Sequence, residues 1–290
     1  MKRRVVAIVL SLTLCMGGTL EAGAAALGSA QVQAALTVIL PVLLGIVIIA
    51  LWQTQVLHHW FKTDTFTLPL ITRIGKIFLE NFGKIKGNIA ATMIVAVVGL
   101  ALGSVLGYAV AILAAMFPRV GKGGLSVVGA FASIPVVALA PVMNNWTKDV
   151  STEASTRSMV AKILVVMLIA AANMSLNAYR GLTELKPYAK DLMATYAAKR
   201  HTTLIKLQLP NSVPYIFVAL KVSVPASIMT AIVSEYFAEY ITGVGRQIRE
   251  NIVLAQYPTA WAYIATACML GIVSYVILMI VQSILLRKYH

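Results

Sequence analysis

IAATMIVAVVGLALGSVLGYAVAILAAMF, residues 89–117, contains no charged side chain. A helix needs about 20 mostly apolar residues to cross the hydrocarbon core of a bilayer, and this run is longer than that. Gly99, Gly103 and Gly107 recur every fourth residue. On a helix they share one face, where a second backbone can approach closely.

The run has companions. Residues 34–56, 124–144, 158–179, 213–235 and 260–286 are also long and apolar, so the spacing predicts an all-α, polytopic membrane protein with a six-helix transmembrane core. Of 290 residues, 59% are hydrophobic and only 12% charged, whereas soluble domains carry about 25% charged residues. A soluble core of this composition would leave too much apolar surface in water. Alternating strand patterns are absent, which argues against an outer-membrane barrel. Lys162, near one end of the fourth run, is expected to snorkel to the headgroups. Cys15 and Cys268 lie inside apolar runs and read as small buried hydrophobes.

Lys and Arg number 24 against 10 Asp and Glu, a net charge of +14. No interleaved basic and aromatic surface remains once the spans are removed, so nucleic acid is not the expected partner. The basic residues instead orient the spans. Segment 180–210 holds Arg180, Lys186, Lys190, Lys199, Arg200 and Lys206 against Glu184 and Asp191, and marks the cytoplasmic side. Arg119, Lys122 and the tail Arg287, Lys288 agree, which puts the C-terminus in the cytoplasm. Linkers 57–88, 145–157 and 236–259 then fall outside. The first carries Lys62, Arg73, Lys76, Lys84 and Lys86, and much of it reads as an amphipathic helix on the outer surface.

The reading divides the chain into an N-terminal apolar, signal-like segment, 1–33, and a transmembrane domain, 34–290, with a cytoplasmic loop at 180–212. Lys2, Arg3 and Arg4 before the apolar run 5–20 resemble a signal peptide. Cleavage, or a span with its basic end inside, would invert every later helix. Three arrangements reconcile the two signals: the run lies flat, it spans with its start outside, or translation begins near Met16.

Within the loop, Pro187 suits the first turn of a short helix. Tyr188, Leu192 and Tyr196 then fall on one face, with Asp191 and Lys199 elsewhere on the same helix. Thr202 or Thr203 can cap a second short helix through Ile205 and Leu207, which Pro210 cannot continue. Ser212 can cap the next span, with Pro214 in its first turn. An apolar-aromatic stripe on a helix outside the membrane needs something to bury it, such as a partner's groove.

No GxxxxGK[ST] is present, so this chain lacks the P-loop cradle for ATP phosphates. The histidines lack metal-site spacing, and no Ser-His-Asp set can be proposed. Glu235 is the exception among intramembrane acids. It reads either as a functional group or as an interfacial Glu paired with a base such as Arg246. Asn173 and Asn177 can hydrogen-bond a solute or a neighbouring helix. Pro135 and Pro141 are expected to bend the third span and free carbonyls for a pathway. Candidate pathway residues are therefore Ser133, Pro135, Pro141, Met143, Asn173, Asn177, Ser227, Thr230 and Glu235.

The run DLMATYAAKRHTTLIKLQLPNSVPYIFVALK, from Asp191, resembles the cytoplasmic signature loop of binding-protein-dependent ABC importer permeases. Asp191 takes that family's acidic position and Leu209–Pro210 its LP pair. Ala197 stands where the family has glycine, and Leu192–Met193 replace two alanines. ALW at 50–52, SIPVVALAPVM at 133–143 and AIVSEYFAEYITGVGRQI at 231–248 extend the resemblance from about residue 40 to the C-terminus. Permeases for sulfonates, nitrate, taurine and thiamine or pyrimidine precursors are the most similar branch, with a lean towards thiamine-precursor and riboflavin-type members.

The resemblance implies that the loop is a coupling helix seated in a cytoplasmic ATPase. Its docking residues would be Tyr188, Asp191, Leu192, Thr195, Tyr196, Ala197, Lys199, Arg200, Leu209 and Pro210. It implies no cofactor on this chain, ATP and Mg being held by the ATPase. It also implies a second permease copy or close homologue, an extracytoplasmic solute-binding protein, membrane lipid around the spans, and a multi-pass place in a bacterial inner membrane. The rivals are a secondary transporter driven by an ion gradient, which would want charged midmembrane sites and inverted repeats, and a membrane enzyme, for which a catalytic set is missing.

Overall fold

In hydrocarbon every backbone N–H and C=O must be bonded within its own segment, so the apolar runs become helices. A computed structural model describes residues 30–131, 133–238 and 242–286. Residues 1–29 of the signal-like segment and the basic tail Arg287, Lys288 lie outside the described residues. The chain divides into one compact unit ending at Thr72 and another beginning at Arg73.

In the first unit, α1 (Ala30–Gln53) is apolar over Ile39–Gln53, and its residues 39–44 and 46–50 are all exposed, as on a helix bathed in lipid. Gln55, with a left-handed φ of 63°, breaks it from α2 (Val56–Phe61). The return of the chain is tied by Trp52 Nε1 donating to Pro69 O at 3.0 Å. Thr67 N–H donates to Asp64 Oδ1 at 2.9 Å.

The second unit contains α3 (Ile71–Glu80, whose first two residues lie in the first unit), α4 (Phe82–Met116), α5 (Pro118–Phe131), α6 (Val136–Trp146) and α7 (Ala154–Thr183). After these come the short helices α8 (Ala189–Thr195) and α9 (Arg200–Thr203), then α10 (Leu209–Tyr236), α11 (Val244–Val253) and α12 (Tyr257–Leu285). Among the described residues, four helical stretches are long and apolar enough to cross a membrane: α4, α7, Arg200–Tyr236 and α12. A further apolar helix pair is sharply bent, the shape of a broken span or of a re-entrant loop. Gly123–Phe131 and Val136–Trp146 meet at 92°, with Pro135 ahead of α6 and Pro141 inside it.

The core forms where α4 crosses α7. Gly99, Gly103 and Gly107 are buried. A methyl added at Gly99 would sit 2.6 Å from Val166 Cβ, and at Gly103 and Gly107 it would strike the Met167 and Ala171 carbonyls. Without side chains there, the two backbones touch. Ala111, Met174, Ala178, Leu182, Leu204 and Ala219 continue the core towards one end of the bundle.

Two expectations about single side chains are corrected. Lys162 does not reach a headgroup layer: it is 4% exposed, on the inward face of α7. Cys268 is exposed rather than buried, because it lies on the face of α12 that no other described helix covers. Cys15 lies outside the described residues.

Candidate functional site

Two constructions stand at opposite ends of α10. The first is the loop between α7 and α10. Its helix α8 begins at Ala189, after Tyr188 in a left-handed conformation (φ 62°). Pro187 therefore precedes the helix instead of opening it. Leu192 N–H bonds to Tyr188 O at 2.9 Å, and Tyr196 N–H to Leu192 O at 3.3 Å. These bonds set Tyr188, Leu192 and Tyr196 at one-turn intervals along and beside α8, 82%, 58% and 76% exposed respectively. Asp191 and Thr195 are exposed on the same short helix, and Thr195 Oγ1 donates to Asp191 O at 3.0 Å.

Lys199 is not on that helix. Ala197 ends it in a left-handed conformation (φ 48°), and Lys199 precedes α9. Ala197 thus holds the backbone shape that glycine adopts most easily.

Pro210 does not stop a helix, and neither Thr202 nor Thr203 caps one. Helix runs from Arg200 into α10, through one wide turn at Leu204–Gln208 in which Leu209 N–H reaches Leu204 O. The π-turn realigns the ladder, and Pro210 occupies the start of α10, where a missing N–H costs little. Pro214 also lies inside α10. Ser212 turns inward as well: its Oγ donates to Leu209 O at 2.8 Å and contacts Tyr108 OH at 2.8 Å.

Two side chains that sequence reasoning passed over fix the loop's base. The last carbonyls of a helix lack intrahelical partners. Gln208 Nε2 donates to Leu182 O at 2.9 Å, and Asn211 Nδ2 lies 2.7 Å from Gly181 O and 3.1 Å from Glu184 O. Gly181 leaves room for Tyr215, whose hydroxyl donates to Glu184 Oε2 at 3.3 Å. Leu204 is buried in the core, while Ile205 is exposed. Amides flanking a Leu-Pro pair at the mouth of an apolar span were the available signal.

At the other end of α10, Glu235 is fully buried. Its Oε2 accepts from Thr92 Oγ1 at 2.9 Å and from Gly245 N–H at 2.9 Å. Thr92 Oγ1 accepts in turn from Val244 N–H at 3.0 Å, and Asn88 Oδ1 accepts from Gly243 N–H at 3.0 Å. The carboxylate therefore caps the first turn of α11, where N–H groups point outward and negative charge is favoured. Gly243 (φ 105°) and Gly245 are required: a Cβ on either would strike the Glu235 carboxylate or the Ile232 carbonyl. The expected pairing with Arg246 is not formed. Arg246 reaches Ala238 O at 3.1 Å and Glu250 at 3.6 Å.

The remaining candidates are scattered. Ser133, Pro135 and Pro141 are exposed, while Met143 packs with Leu139, Ala161 and Val165. Asn177 donates to Asn173 O at 2.9 Å within its own helix. Ser227 and Thr230 are buried in α10.

Comparison with known proteins gives this geometry its setting. The sequence profile of the family described as binding-protein-dependent transport system inner membrane component matches residues 103–290. The formylaminopyrimidine transport permease protein ThiX of Halalkalibacterium halodurans is 27% identical over 199 residues, 69% of this chain and 76% of that protein. A crystal structure of an amino acid ABC transporter superposes with a TM-score of 0.58 at 12% identity, over 73% of this chain and 96% of that one. The MetNI methionine ABC transporter in an inward-facing form gives a TM-score of 0.49 at 16% identity, over 68% and 94%.

Proposed function

Because this chain belongs to the family of inner membrane components of binding-protein-dependent transport systems, and is therefore the permease subunit of an ABC importer, we propose that loop 180–212 is where its ATPase takes hold. The observation that carries this reading is the Tyr188, Leu192 and Tyr196 set: three large side chains exposed on and beside α8, in a loop whose base is bolted to α7 and α10. Apolar groups in water on a rigid mount suit insertion into a protein cleft. Asp191, Thr195, Ala197, Lys199 and Arg200 would border the contact, and Leu209–Pro210 would form its hinge-free root.

A single docking loop per chain calls for two permeases to serve a pair of ATPase subunits, so a second copy or close homologue completes the importer. ATP and Mg act on the ATPase. Nucleotide-driven closure of the ATPase pair draws the two loops together, and the unbroken helix Arg200–Tyr236 carries that displacement across the membrane. The two conformations alternate because nucleotide has differential affinity for them.

The loop faces the cytoplasm of a bacterial cell, with the C-terminus on the same side. A solute-binding protein delivers cargo at the opposite face, near α11. The pathway passes Ser133, Pro135, Pro141 and Met143 of the bent helix pair, Asn173 and Asn177 of α7, and Ser227 and Thr230 of α10. The cargo is a small polar solute of the thiamine-precursor pyrimidine kind, a reading supported by the named transport role of ThiX.

The test is Tyr196→Asp in the reconstituted importer. ATP hydrolysis should no longer be linked to uptake while the helical content stays at the parent level. Parent-level, solute-stimulated uptake by this variant would overturn the docking face.

A further inference from the structure

Glu235 has one oxygen left over. Its Oε2 makes the cap on α11, but Oε1, buried in the same place, has no hydrogen-bond partner. On α7, Lys162 is also buried. Lys162 lies one turn before Val166 on α7 and Glu235 one turn after Ala231 on α10, and Val166 and Ala231 share one buried cluster. Lys162 and Glu235 do not touch: the ion pairs between described residues are Lys76–Glu80 and Arg246–Glu250. Arg246 is already engaged by Glu250 and Ala238 O. Two opposite charges thus sit inside one bundle, on neighbouring helices, without the contact that would compensate their burial.

A buried charge without a partner is costly, and a buried charge pair is tolerated only with close geometry. A protein with two conformations can leave a pair open in one and closed in the other. Such a contact is the kind of differential interaction that moves a two-state equilibrium.

We propose that Lys162 and Glu235 are the halves of a switchable ion pair: open in the conformation described here, and closed when α10 shifts against α7 in the transport cycle. Oε2 keeps the cap on α11 in both states, and Oε1 takes the ammonium in one. Lys162 is thereby a positioning residue for α10, acting on the end of the span opposite the docking loop. The inference rests on the importer reading for its cycle, but not on which residues meet the ATPase.

The experiment compares parent, Lys162→Met, Glu235→Gln and the double variant. Glutamine keeps an oxygen for Thr92 and Gly245 while removing the charge, so the cap and the charge are separated. In the permease–ATPase complex in lipid nanodiscs, the fraction trapped by ATP with orthovanadate is measured. Each single variant should shift that fraction by about tenfold, the effect of about 1.4 kcal/mol of differential contact. The double variant should be shifted no further than either single, because each single has already lost the same contact. Thermal unfolding of the permease alone is the second arm. Single neutralisation should leave the midpoint unchanged or raise it, since the pair is open at rest. The proposal is overturned by unchanged trapping in the single variants, by a double variant whose shift is the product of the two single shifts, or by midpoints that fall in both singles and recover in the double. The melting arm needs no ATPase, so a failed docking face would not be mistaken for a failed pair.

Discussion

Asn211, in the first turn of α10, donates its side-chain amide to the Gly181 carbonyl at 2.7 Å, joining the start of one span to the end of another 30 residues earlier. With Gln208 on Leu182 O, it satisfies carbonyls that the end of α7 would otherwise leave bare. The loop between them is therefore long in sequence and narrow at its base.

Replacing Asn211 or Gln208 by alanine should expose this dependence. Each leaves a part-buried carbonyl unsatisfied, worth about 1–3 kcal/mol. We expect a lower thermal midpoint in detergent and faster proteolysis within 185–203. A double variant no less stable than either single would mean the two amides act as one clamp.

Ala197→Gly should act in the opposite direction. The left-handed φ of 48° costs an alanine about 1 kcal/mol that glycine does not incur. Slower amide exchange across α8 in the glycine variant would be the supporting measurement, and Ala197→Val should accelerate exchange.

Gly243→Ala should be among the most damaging small substitutions in the chain. The φ of 105° strains any side chain by about 1–3 kcal/mol, and the new methyl would overlap the Glu235 carboxylate. The expected result is detachment of α11, seen as loss of the parent melting transition. Gly123→Ala, with open space around it, is the control and should melt like the parent.

Asp64 gives a local pH dependence. Its side chain is bonded by Thr67, first through the side chain and then the backbone, which lowers its carboxyl below the ordinary 3.8. A group whose folded value is depressed contributes order above the unfolded value and loses it as pH falls through the folded one. Protection of the Thr67 amide, its exchange rate divided into the intrinsic rate at the same pH, should therefore be full above about pH 4 and fall as the pH drops below it, and Asp64→Asn should flatten that profile.

Glu235 shows where sequence legibility ends. An acid near the end of an apolar span is conspicuous in any reading, as is the Gly-x-Gly at 243–245. That the glycines exist to admit the acid's own carboxylate is not visible in either. Neither is the role of Thr92, which lies 143 residues from its partner. Arg246 is close in sequence and of the right sign, yet helix geometry places Glu250 four residues on, where the pairing is local. Lys162 misled for a related reason: nearness to a span's end suggests snorkelling, but the rotation of α7 turns that side chain inward.

The sequence by itself determined what depends on sums and periods: the membrane class, the places of the apolar helices, the small-residue face at 99, 103 and 107, and the exposed aromatic stripe at 188, 192 and 196. Hydropathy, charge count and helical pitch are properties of contiguous residues. Tertiary structure alone decided the wide turn that lets helix pass through Pro210, the amide clamp on α7 and the capped, half-satisfied Glu235. Each depends on which distant backbone groups are left without partners once the helices pack, and that is settled only when the bundle closes.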